Sequence, residues 1–279
     1  MTSPIKIRKN SGEYDNYSED KLRSSLHNAG ANPDLAEHVI AIIRPKLYDG
    51  IRTSEIYKSA HALLRKNEYI HASRYRLKHA IQELGPTGYP FELFVAEIMK
   101  GEGYKTQVGL TLQGKCVSHE VDVLAEKEHQ LLMMECKFHN KPGYKSDVKV
   151  PLYINSRFLD LKDMWQDMAQ YSGKQMQGCL VTNSKFTTDA IAYGQCAGLQ
   201  MISWDYPDHA SLKKRVNEQM LYPVTTLQTL SKRDKGLLIA EGIIVTKSLC
   251  ENFSVLDKLG YPNSKIQKIV LEANLICEI

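Results

Sequence analysis

Between residues 105 and 137 the hydrophobic pattern changes period, and no other feature of the chain restricts the fold as strongly. "KTQVGLTLQG", "HEVDVLAEK" and "QLLMMECKF" alternate or run apolar and are separated by short polar turns. Segments of this kind read as three consecutive strands. The preceding "FELFVAEIMKGEGY" places Phe91, Phe94, Val95 and Ile98 on one helical face. Residues 140–174 read as a loop followed by a helix rich in polar and aromatic residues. A strand "GCLVTNS", a capped helix "TTDAIAYGQCAG" and a last strand "LQMISWD" complete the segment. Helices flanking a mixed sheet make an α/β (α+β) domain.

The flanks differ from this centre. "IKI" at residues 5–7 is a short strand, and "KNSGEY" has turn chemistry. Ser18 caps a first helix that has Glu19 and Asp20 in its first turn and ends near Gly30. A second helix starts near Pro33, with Pro45 a local obstacle to its continuation. Thr53 or Ser54 caps a third, and "EYIHASRYRLKHAIQEL" reads as a fourth. "GPTGYP" is linker-like. Past residue 207 only short helical segments recur, interrupted by Gly242, Gly260 and Pro262. The expected organisation is therefore 1–87, mostly helical; 88–207, the mixed-sheet domain; and 208–279, a small helical module.

Composition narrows the class of protein. Of 279 residues, 43% are hydrophobic and 24% charged, as in ordinary globular proteins, and no stretch reaches the length of a membrane helix. The net charge of +4 permits an acidic partner without demanding one. "MTSPIKIRKNSGEY" has no apolar signal-peptide core, so the expected location is cytoplasmic. The six cysteines are scattered without a C-x-x-C pair, and the nine histidines show no metal-ligand spacing. No G-x-x-x-x-G-K-[ST] occurs, which argues against a P-loop motor.

The chemistry concentrates at the end of the third central strand. Side chains two apart share a strand face, so Glu135 and Lys137 point to one place. Asp122 interrupts the preceding strand, and strands joined by a short turn are neighbours about 5 Å apart. Asp122 and Glu135 are thus placed to share one Mg²⁺ ion, with a backbone carbonyl and waters completing its oxygen shell. A lysine beside such an ion orients the attacking water or steadies charge on a phosphodiester in transit. The competing interpretation is a cross-strand salt bridge, which is the more common fate of an E-x-K pair.

This frame, from "GYPFELFVAEIMKGEGY" through "HEVDVLAEK", "LLMMECKF" and "CLVTNSKFTTDAIAYGQCAGLQMISWD", resembles the Mrr-like branch of the PD-(D/E)XK restriction endonuclease superfamily. The resemblance spans roughly residues 88–206. It implies Mg²⁺, with Mn²⁺ as an alternative, held by Asp122, Glu135 and the backbone carbonyl of Cys136. It further implies catalytic roles for Lys137 and for Glu92 of the first helix. Many Mrr-like members carry glutamine where this chain keeps Glu135, and the retained acid favours an active nuclease. Gln166 and Gln170 lie on the following helix, where related nucleases place a supporting polar group, although surface glutamines explain them equally. Lys141, Tyr144, Lys145 and Lys149 suit phosphate contact or a solvated loop.

At the N-terminus, Lys9 stands beside a turn containing Gly12, and Lys21 lies in the first turns of the next helix. Two lysines by a helix N-terminus suit an anion, and equally suit a solvated basic face. Ile7, Lys9, Gly12, Tyr17 and Lys21, together with "YDGIRTSEIYKSA", resemble the ATP-cone, a regulatory nucleotide module. This resemblance covers about residues 4–84 and implies ATP or dATP as a regulatory ligand. Lys9 and Lys21 would hold phosphates, with Thr53 and Tyr57 near the nucleotide. Asn10 and Tyr57 depart from the usual arginine and histidine of that family. In the tail, the glycine-interrupted helices resemble a degenerate helix-hairpin-helix, which implies phosphate contact through backbone N–H groups.

The whole reads as a Mg²⁺-dependent DNA endonuclease of defence type under ATP or dATP control, acting as a homodimer or nucleotide-dependent homo-oligomer. The rivals are a nucleotide-sensing DNA-binding protein that does not cut and a regulatory oligomerisation protein.

Overall fold

The computed structural model describes residues 4–67 and 69–277. Contact density divides the chain into two compact units. One holds residues 1–81, 141–143 and 222–279; the other holds 82–140 and 144–221. The chain's two ends thus belong to one unit. Residues 208–221, expected with the tail, group with the centre.

The first unit begins with strands β1 (Lys6–Arg8) and β2 (Tyr14–Asn16) and helix α1 (Glu19–Asn28), capped by Ser18. Helix α2 (Pro33–Ile43) takes its N-cap from Asn32 and gives way at Pro45 to a short 3₁₀ turn. Strand β3 (Ile51–Arg52) precedes α3 (Thr53–Asn67). The expected fourth helix forms as two, α4 (Tyr69–Tyr75) and α5 (Leu77–Gln82), with a turn at Arg76 between them. Glu68, the expected start of that helix, lies outside the described residues. Central β1 pairs antiparallel with β2 and parallel with β3, giving the order β2-β1-β3. Leu22, Leu26, Val39, Ile40, Ile43, Ile56 and Leu64 form the core against which this sheet rests.

The second unit opens with α6 (Tyr89–Gly101), which has Pro90 in its first turn. Strands β4 (Lys105–Gln113), β5 (Ser118–Lys127) and β6 (Gln130–Lys137) follow as an antiparallel meander. Short β7 (Lys145–Ser146) leads into α7 (Lys149–Trp165), and β8 (Gln175–Thr182) then pairs parallel with β6. Short β9 (Lys185–Phe186) pairs with β7, and α8 (Thr188–Cys196) leads to β10 (Gln200–Ile202), parallel to β8. The main sheet has the order β10-β8-β6-β5-β4. Helix α9 (Leu212–Gln219) ends the unit. Leu131 and Met133 of β6 share a cluster with Ile154, Phe158, Leu161 and Trp165 of α7. The α7-facing side of β6 therefore continues, two residues at a time, to Glu135 and Lys137.

The tail adds α10 (Lys232–Ala240), α11 (Thr246–Glu251), α12 (Ser254–Lys258) and α13 (Asn263–Cys277). The mixed α/β sheet domain and the helical C-terminus are as the sequence led one to expect. Gly242 and Gly260 have positive φ (79° and 69°) and donate to Ile239 and Asp257 carbonyls as helix C-caps. Their N–H groups are consumed inside the tail. Among the described residues no helix is long and apolar enough to cross a membrane.

Glu272 of α13, only 3% exposed, fastens the tail to the N-terminal helices. Its carboxylate accepts from Gln228 N (2.8 Å), Thr229 N (2.9 Å), Thr229 Oγ1 (2.6 Å) and Ser73 Oγ of α4 (3.4 Å). Arg74 of α4 donates to the Ile276 carbonyl at 3.0 Å. Glu272→Ala strands these donors and should cost about 3 kcal/mol in urea unfolding. An unchanged midpoint would mean that the carboxylate is not what holds α13.

Candidate active site

The site arises where two strands part. The β5–β6 ladder runs from Lys127↔Gln130 to Val123↔Met134 and stops there, while β5 stays paired with β4 as far as Ser118. The next opposed residues are Asp122 and Glu135. Asp122 takes over from the ladder: its carboxylate accepts the Cys136 N–H at 2.7 Å. In an antiparallel ladder a residue's N–H and C=O face the same neighbour, so the Cys136 carbonyl also faces this gap. On the far side of β5, Gly109 of β4 stands opposite Asp122, outside the ladder and with φ +65°. A side chain there would be strained, so glycine permits the kink that leaves Asp122 free of regular pairing.

Glu135 is 8% exposed and both its oxygens are engaged. Lys137 Nζ lies 2.5 Å from Oε1 and Arg157 Nη1 2.6 Å from Oε2. The Lys137 carbonyl accepts from Thr182 Oγ1 at 2.7 Å. Asn183 brackets the His139 backbone, accepting from its N–H at 2.8 Å and donating to its C=O at 2.9 Å. The "VTNS" segment therefore clamps the backbone that carries the lysine.

Glu92, in the first turn of α6, sits close enough to feel the other acids. Burial, then the charges of Asp122, Glu120 and Glu135, push its carboxyl up to about 7. Burial and the charge of Glu135 push Asp122 up to about 6, against the opposing Cys136 N–H, Lys137 and Arg157. The centre thus pools carboxylates in a partly dehydrated place and lacks enough positive charge to ionise them all readily.

Arg157 was not foreseen. It comes from α7, where Ile154, Phe158, Leu161 and Trp165 form the buried stripe and position 157 falls on that same stripe. A cation at an apolar-stripe position is the signal that would have found it. The helix is anchored next to it: Asp160 accepts from Cys116 N (2.8 Å) and Val117 N (3.3 Å) and pairs with His119 Nε2 (2.8 Å), all in or beside the β4–β5 hairpin. Gln166 and Gln170 are exposed at and beyond the far end of α7, nine or more residues past Arg157. Tyr144 stacks on His139 at 3.8 Å between centroids, Lys145 lies in β7, and Lys149 begins α7.

In the first unit, Lys9 and Lys21 do converge, but on a carboxylate of the chain itself. Asp15 Oδ2 lies 2.8 Å from Lys9 Nζ and 3.5 Å from Lys21 Nζ. The hydrogen bond from Lys9 leads the effects that lower the Asp15 carboxyl to about 2. Because β1 and β3 run parallel with Arg8 opposite Arg52, Lys9 and Thr53 leave the sheet at the same end. Tyr57, one turn further along α3, stacks on Tyr75 with centroids 5.1 Å apart.

Among the described residues no three His, Cys, Asp or Glu side chains are arranged to hold a metal ion. The donors facing the gap are two carboxylates and a carbonyl, all hard oxygens that suit Mg²⁺ with most of its waters kept. The raised acids beside them match a centre that lacks positive charge, and on these grounds the residues fit the ion.

Residues 85–208 match the restriction endonuclease family model, and residues 222–277 match the AF1548-like C-terminal family model. The central domain is restriction-endonuclease-like. An uncharacterized protein of Archaeoglobus fulgidus is 28% identical over 183 residues, covering 65% of this chain and 99% of the relative. The crystal structure of AF1548, described as a protein of unknown function, is also 28% identical, with TM-score 0.57. The match covers 69% of this chain and all of that one. Can2 from Sulfobacillus thermosulfidooxidans, solved with cyclic tetra-adenylate, is 10% identical with TM-score 0.30 over 78% of this chain and 68% of its own. At that distance the match carries no weight.

The pooled charge has a measurable sign. Glu92 and Asp122 bind protons more tightly folded than unfolded, so each removes stability as pH rises from its unfolded to its folded value. Without divalent ions, the Glu92→Gln/Asp122→Asn protein should gain stability relative to the parent between about pH 4 and about pH 7. A difference in urea unfolding that stays constant with pH would contradict the pooling.

Proposed function

We propose that the chain is a Mg²⁺-dependent DNA endonuclease of restriction type, with Mn²⁺ as an alternative ion, controlled by ATP or dATP at its N-terminal region. The observation that carries this reading is the parting of β5 and β6 at Asp122 and Glu135, with Lys137 on the same face. The restriction endonuclease match over residues 85–208 supports phosphodiester hydrolysis as the reaction and DNA as the substrate.

Asp122, Glu135 and the Cys136 carbonyl would hold the ion, which when bound polarises a phosphodiester and acidifies water. Lys137 Nζ would orient the attacking water and favour the charge that develops on the phosphoryl oxygens. Glu92, with its carboxyl near 7, is suited to hold or take a proton beside that water. Asp122→Ala and Lys137→Ala should each lower plasmid cleavage by about 10³-fold or more while leaving the far-ultraviolet circular dichroism spectrum unchanged. Cleavage at the parent's rate by both variants would remove the assignment.

At the other end, Lys9 and Lys21 would bind the phosphates of ATP or dATP, with Thr53 and Tyr57 near the nucleotide. Asp15 occupies both lysines, so a phosphate must compete with it. Asp15→Asn should therefore bind ATP about fivefold more tightly in calorimetry, the scale of one exposed ion pair. No heat from parent or variant at millimolar ATP or dATP would exclude nucleotide control. Control requires that nucleotide bind two states unequally, and a homodimer or nucleotide-dependent homo-oligomer is the contact through which it would act.

The second reading is a nucleotide-sensing DNA-binding protein that does not cut. It is favoured by the engagement of both Glu135 oxygens with Lys137 and Arg157. Retention of DNA without products at any Mg²⁺ or nucleotide concentration would establish it.

A further inference from the structure

Arg157 has no part in the reaction just outlined, yet it occupies the centre of the site. Its side chain is 15% exposed, and a guanidinium so placed needs partners to offset its lost hydration. It has three. Nη1 holds Glu135 Oε2 at 2.6 Å, Nη2 donates to the Glu120 carbonyl, and Cζ lies 5.3 Å from the Tyr153 ring centre. Glu120 belongs to the part of β5 that has separated from β6, whereas Glu135 belongs to β6. The guanidinium therefore reaches from β6 to the separated part of β5 and holds a Glu135 oxygen that an ion shared with Asp122 would need.

Lys137 and Arg157 both pair with Glu135, so its negative charge is already met without an ion. A Glu135 oxygen already accepting a short guanidinium hydrogen bond is a poor donor to a metal, and its companion oxygen is held by Lys137. Arginine is also the side chain best shaped to grip a phosphate once released from a carboxylate. Tyr153, 60% exposed, offers its ring face to the guanidinium.

We propose that Arg157 is a resident counter-cation that competes with the divalent ion for Glu135 and, when displaced, grips the phosphate backbone of DNA. This rests on the nuclease reading of the site and adds to it a regulation: DNA, which attracts Arg157 away, and the divalent ion, which takes its place, favour one another. A merely structural arginine would weaken every ligand together when removed. A competing one moves the two ligands in opposite directions.

The test uses the full chain and two probes, Mn²⁺ alone followed by electron paramagnetic resonance and a fluorescein-labelled DNA duplex in Ca²⁺. Arg157→Met should bind Mn²⁺ about tenfold more tightly than the parent and the duplex about tenfold more weakly, the usual scale for one close charge pair. Arg157→Lys, which keeps the charge but loses the fork, should fall between them for Mn²⁺, and it serves if the methionine variant melts early. Equal or weaker Mn²⁺ binding by the folded variants overturns the proposal. If the parent itself shows no Mn²⁺ binding that Asp122→Ala removes, the nuclease reading falls and the competition with it. If that binding is present but indifferent to Arg157, the competition alone falls.

Discussion

A β-ladder that stops before either of its strands ends organises the centre of this protein. Had β5 and β6 stayed paired beyond Val123 and Met134, the backbone groups of Cys136 would have been spent on the next ladder position. Instead the Asp122 carboxylate takes the Cys136 N–H, and the two strands separate with an acid on each. The kink at Gly109 relieves Asp122 from the other side. Helix α6 contributes Glu92 and helix α7 contributes Arg157 to the same gap. The sheet thus supplies the opening, and the helices supply the groups that make it electrostatically unusual.

Both charged clusters are closed on themselves. At the central site Glu135 holds Lys137 and Arg157; in the N-terminal unit Asp15 holds Lys9 and Lys21. In each case groups expected to meet a ligand are occupied by an opposite charge of the chain itself. Exposed pairs such as those of Asp15 are weak. The Glu135 pairs are largely buried, so an exchange there involves larger opposing energies and depends more steeply on what replaces them.

The site was legible in the sequence to the extent that it depends on strand periodicity. The alternation in "HEVDVLAEK" and the apolar run ending in "ECK" sufficed to bring Asp122, Glu135 and Lys137 to adjacent strands. What escaped depended on tertiary pairing. Arg157 lies at stripe spacing with Ile154, Phe158 and Leu161, but a helical arginine reads as solvent-facing until a buried carboxylate is known to await it. Glu272 escaped for the same reason, and with it the docking of the tail on α4. Strands β2, β3, β7 and β9 are two or three residues long, too short for any period to show. Gly242 and Gly260 were visible, but their role as helix caps follows from hydrogen bonds that no spacing reveals.

The claim on which the rest depends is that the gap between β5 and β6 is a divalent-cation site. Anomalous X-ray scattering from crystals of the full chain soaked in Mn²⁺ tests it most directly. The account predicts a peak between the Asp122 and Glu135 carboxylates, within coordination distance of the Cys136 carbonyl, and absent from Asp122→Ala crystals. A saturated soak with no peak there, and Arg157 still holding Glu135, would contradict it.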